Sequence, residues 1–95
     1  MNPFFEDLGR RFTQAAGERG AAIDPPTLDA NVAAELLDLA RVAAHTHERR
    51  FAPLASFVAG IAAERLRATG VKADPETVAG MIHDVWRQLE AEAAV

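Results

Sequence analysis

Ninety-five residues with no cysteine, a formal net charge of −4 and hydrophobic residues at 49% describe one small globular domain. That inventory excludes disulfides, thiolate metal sites and thiol catalysis, and the acidic balance argues against nucleic acid as a partner, because phosphate neutralisation needs clustered bases. Five phenylalanines and one tryptophan are the only aromatic residues, and alanine is heavily used, which suits helix packing better than a sheet.

The chain reads as four helices, about 3–16, 28–48, 53–69 and 75–93. Asn2 as N-cap and Pro3 at the first helical position open the first, with Phe4, Phe5, Leu8, Phe12, Ala15 and Ala16 at spacings of three and four. Gly17 and Gly20 stop it, and a loop through Pro25 and Pro26 follows. The second helix has an apolar stripe of Leu28, Val32, Leu36, Leu39, Ala40 and Ala43, while Asp29, Glu35, Asp38 and Arg41 are expected to face outward. The residue before a proline avoids the helical region, so the approach to Pro53 is expected to break the chain.

Pro53 then opens a third helix, Pro53 to Ala63, that is apolar on almost every side. Such a helix is expected to be buried nearly all round as the central core element, or in part to form a subunit interface. It is too short for a membrane span of about 20 apolar residues, and Glu64, Arg65 and Arg67 follow at once, so no membrane is expected as a partner. Gly70 closes it. Asp74, Pro75 and Glu76 restart the chain as an acidic cap, a proline and an acid at the positive helix end, and Val78, Met81, Ile82, Val85, Trp86 and Leu89 supply an inward face. Four helices with short connections predict an all-α, up-and-down four-helix bundle forming a single domain over residues 1–95. The opening Met1 to Asp7 carries early acids and no basic stretch before an apolar run, so it does not read as a secretory signal, and a cytoplasmic location is the expectation.

The chemical inventory is thin. His45 and His47 are two residues apart, so one helix points them about 200° from each other and they cannot share an ion. His83 lacks a Glu-x-x-His or His-x-x-x-His pairing, and no metal site is expected. Ser56 is the only serine and Lys72 the only lysine; neither has an activating neighbour in sequence. No glycine-rich phosphate loop is present. Hence neither catalytic residues nor a cofactor are expected, and the chain does not read as an enzyme.

One constellation stands out. Residues 48–73 hold five bases against two acids, and Arg41, His45, Glu48, Arg49 and Arg50 gather at or beside the end of the second helix. Arg41, His45 and either Glu48 or Arg49 would share a helical face. Cations at a helix C-terminus, where the dipole is negative, account for the pattern in the plainest way. The sharper expectation is a docking patch for an acidic partner or a phosphorylated small molecule, with arginine supplying forked donors.

Leu37-Asp38-Leu39-Ala40-Arg41, Ala44-His45, Arg49, Ala52-Pro53-Leu54, Phe57 and Gly60 resemble the pattern of an actinobacterial domain of unknown function, the DUF6457 family. The resemblance covers about a quarter of the chain, and Arg50 and Phe51 depart from it where the family tends to have proline and a small residue. That family is found alone or appended to proteins resembling molybdenum cofactor guanylyltransferase, which implies a link to molybdopterin cofactor maturation proteins as partners. Taken with the thin chemical inventory, the expectation is a non-catalytic accessory domain that binds a protein partner or self-associates as a homodimer. The alternative is a small module binding a nucleotide or pterin phosphate through Arg41, His45 and Arg49.

Overall fold

Helix ends are set by side chains that satisfy the amides a helix leaves unpaired. In the computed structural model, which describes residues 2–94, the Asn2 side chain accepts from the Phe4 amide at 2.9 Å and Pro3 opens α1 (Pro3–Glu18). At its other end the Gly20 amide bonds the Gly17 carbonyl and the Ala21 amide the Ala16 carbonyl, a Schellman pair that needs the left-handed backbone Gly20 adopts, φ 83°. Asp29 caps α2 (Ala30–Thr46), accepting from Asn31 and Val32, and Asp74 with Pro75 starts α4 (Pro75–Ala93), accepting from the Thr77 amide at 2.8 Å.

The break expected before Pro53 falls earlier. α2 ends at Thr46, and α3 (Phe51–Ala68) begins two residues ahead of the proline. Pro53 is thus the third helical residue, a position whose amide has no helical partner anyway, so its missing N–H costs nothing there.

The four helices make an all-α, up-and-down bundle whose packing is uneven. Leu39, Val42 and Ala43 of α2 and Ile82 and Trp86 of α4 form the buried core, with Val32, Leu36, Val78 and Leu89 packed around it. Pairs crossing this seam are separated by similar sequence offsets, Glu35 with His83 and Trp86, Arg41 with Glu90, so α2 and α4 run parallel. Second and fourth helices point the same way in an up-and-down chain.

α3 lies on the other side of α2 and reverses the expectation for it. The segment meant to be buried nearly all round contains no buried residue, and α3 reaches the core only through partly buried Ala55 and Ala59. Helix α1 is also peripheral. Its one buried residue is Gly9, where a β-carbon would come within 2.6 Å of the Pro26 carbonyl oxygen, so α1 is held by the linker leading into α2. The fold spans 48 × 30 × 25 Å.

Two glycines separate packing from propensity. Gly9→Ala should destabilise by about 1–3 kcal/mol, the cost of forcing an extra methyl into a closed contact, whereas Gly80→Ala in α4, with nothing within 4 Å, should stabilise by up to about 1 kcal/mol through helix propensity. Urea denaturation of the two variants checks the opposite signs. Ile82→Ala, at the buried seam, should cost about 2–5 kcal/mol in the same assay.

Candidate functional site: an outward apolar face on α3

At about 100° per residue, Ala52, Ala55, Ala59, Ala63 and Leu66 share the side of α3 turned toward α2, while Leu54, Phe57, Val58 and Ile61 fall within about 100° of each other on the opposite side. Partial burial of the first set and exposure of the second follow that division. Phe57 is 71% exposed, Val58 63%, Leu54 59% and Ile61 36%. The helix therefore rests on its small side chains and turns its large ones to solvent.

This ridge has a depression on each flank. One, of about 520 Å³, lies beside Phe57, Gly60, Ile61, Glu64 and Ala68, where the missing side chain of Gly60 leaves a notch. The other, of about 300 Å³, lies where Leu54 and Val58 meet Thr46 and His47 at the end of α2 and Leu89 of α4. A large aliphatic or aromatic side chain gains about 1.5–3 kcal/mol on full burial. Ridges flanked by grooves are the shape that helix-on-helix packing uses.

The basic constellation read from the sequence is placed differently from its expectation. Because α2 ends at Thr46, Glu48, Arg49 and Arg50 sit in the turn before α3 and not on the face that carries Arg41 and His45. The Arg41 guanidinium is shared between Asp38 at 3.5 Å and Glu90 of α4 at 3.2 Å, and lies 5.8 Å from the centre of the Trp86 ring. Glu48 pairs with Arg50 at 3.4 Å. All five side chains are exposed.

A polar contact absent from the sequence reading lies in the seam itself. Glu35, expected to face outward, turns inward: its Oε1 accepts from the Trp86 indole N–H at 2.7 Å and from His83 Nδ1 at 3.0 Å, and the His83 and Trp86 rings meet edge to face. A carboxylate oxygen only accepts, so the Nδ1 of His83 carries the proton in this pair. The indole hydrogen bond, then that of His83, holds the Glu35 carboxyl below its ordinary pKa. The signal was present in the spacing, since Glu35 is four residues before Leu39 and three after Val32, on the core stripe. A buried-side tryptophan needs an acceptor for its N–H, and this one is supplied across the seam.

These features define a small all-α domain with an open helical face. The chain belongs to the DUF6457 family of domains of unknown function, whose sequence profile matches residues 4–94. No curated protein and no solved structure matches it significantly. Among the described residues, no helix is long and apolar enough to cross a membrane.

Since folding lowers the Glu35 pKa, its stabilising contribution is present above the ordinary glutamate range near pH 4.3 and is lost as pH falls through the lowered folded value. Denaturation followed by the fluorescence of the single tryptophan, from pH 7 down to pH 3, should show stability falling at the acid end. Glu35→Gln should be less stable at pH 7 and should flatten that acid-side slope; a slope identical to the unmodified chain would remove Glu35 as its cause.

Proposed function

We propose that this chain is a non-catalytic protein-interaction domain that docks a partner on the outward face of α3. The observation that carries the reading is the disposition of Leu54, Phe57, Val58 and Ile61, four large apolar side chains contiguous on one helix and turned to water. A soluble domain rarely leaves such a patch bare without a binding role, and phenylalanine is among the residues enriched at interfaces while lysine and glutamate are depleted. The DUF6457 family that the sequence resembles, found alone or appended to proteins resembling molybdenum cofactor guanylyltransferase, makes cofactor maturation the setting to try first, with a protein of that setting or a second copy of the chain as the occupant of the face. The fold and the family profile bear only on the domain, so that choice of partner rests on the sequence resemblance.

The alternative of an anionic ligand held by Arg41, His45 and Arg49 draws less support from the geometry. Arg41 already lies between two carboxylates, and Arg49 is off the helix that carries the other two. A nucleotide phosphate would have to displace Asp38 and Glu90 from the guanidinium.

The two readings separate in one comparison. An immobilised chain should retain a protein from native lysate or added free copies of the same chain, Phe57→Glu should lose that retention, and Arg49→Ala should keep it. Retention unaffected by Phe57→Glu would overturn the α3 reading. A thermal shift with a nucleotide or pterin phosphate that Arg49→Ala abolishes would favour the anion site.

A further inference from the structure

We infer that the occupant of the α3 face is a second copy of this chain, so that the domain is a homodimer through an isologous α3 contact. The inference rests on the interaction reading above and adds the identity of the partner.

The area argument comes first. A compact monomer of 10.2 kDa has an accessible surface of about 5,300 Å², whereas this chain exposes 7135 Å². The surplus is roughly 1,800 Å², more than twice the roughly 800 Å² that each partner contributes to a standard stable interface. The radius of gyration points the same way, 14.8 Å against about 12–13 Å for a compact chain of this length. The peripheral α1 contributes to both figures, and α3 adds Leu54, Phe57, Val58 and Ile61 to the uncovered surface.

The shape of the face says why a copy fits it. A two-fold interface must be complementary to itself, each patch supplying both the projection and its socket. Here the ridge of Leu54, Phe57, Val58 and Ile61 lies between two depressions. Two such helices crossing on a two-fold axis place the ridge of each in a flanking groove of the other, with the Gly60 notch giving the Phe57 ring of the partner copy room to enter. The charges bordering the ridge do not oppose this. Glu64 is neutralised by Arg67 of its own helix at 2.6 Å, Arg65 lines the same depression without an ion pair among the described residues but stands about 12 Å along the helix from Phe57, and the four ridge residues carry no charge, so like charges are not forced together at the crossing point.

Sedimentation equilibrium of the full chain, from micromolar to sub-millimolar concentration, tests it. The expected mass is twice 10.2 kDa, with Phe57→Glu and Ile61→Glu each weakening self-association about a hundredfold, the effect of losing an interface hot spot. Leu37→Glu, at an equally exposed leucine on α2, should leave the dimer intact. Both residues are exposed in the single chain, so circular dichroism should show all variants folded. A monomer throughout that range overturns the inference, as does a dimer indifferent to both α3 variants. A monomer whose scattering radius falls to about 12–13 Å would mean that α1 covers α3 within one chain. Should the chain be monomeric yet still capture a different protein in a Phe57-dependent way, the homodimer fails and the interaction reading stands; if that capture fails as well, both fall.

Discussion

The contact between α2 and α4 is the constraint from which the remaining geometry follows. It gathers Leu39, Val42, Ile82 and Trp86 into the buried core cluster, and it carries the polar pairs that fix register. Hydrophobic packing alone is non-directional. A single Glu35 oxygen shared by the Trp86 indole and the His83 ring, and Arg41 reaching Glu90 farther along, are directional. Sliding α4 by one turn would leave the indole N–H without its acceptor, so the hydrogen bonds choose one parallel register from those the apolar stripes would tolerate.

With Leu36, Leu39 and Val42 of α2 packed on Val78, Ile82 and Leu89 of α4, α3 attaches by what is left. Its inward side is a row of alanines, which lets the helix come close to α2 but buries little area per residue. Its outward side holds the bulk. The attachment of α3 and the exposure of its ridge are thus one fact seen from two sides: rotating the helix by half a turn would bury Phe57 and Ile61 but would push large side chains into a space that alanines now fill. Native packing density does not tolerate such overfilling without backbone shifts.

Helix ends were the most legible part of the sequence because their signals are local. Asn2 with Pro3, Asp74 with Pro75, and Gly20 each act within a few residues, and the structure uses all of them. What escaped were questions of direction. An apolar segment such as 53–63 does not say which side faces the core, and the expectation of full burial treated all its residues alike, although the alternation of alanine with Leu54, Phe57, Val58 and Ile61 contained the answer. Glu35 is of a residue type expected in solvent, yet its spacing from Val32 and Leu39 puts it on the core stripe. The Arg41, His45, Arg49 alignment required α2 to continue past Thr46, and helix length near a proline is a weaker signal than helix identity. There the helix ended sooner because Pro53 could be accommodated within the first turn of α3.

The distribution of aromatic residues ties these threads together. All five phenylalanines, Phe4, Phe5, Phe12, Phe51 and Phe57, lie in α1 and α3, and none lies in the seam between α2 and α4. The internal core is closed by aliphatic residues and one tryptophan, and none of the five rings joins the buried cluster. A chain of 95 residues commands little core to begin with, since small domains bury the smallest fraction of their surface. Placing most of its largest apolar rings at the periphery therefore costs stability that the seam between α2 and α4 does not recover, and the interaction proposed for the α3 face would take Phe57 out of water.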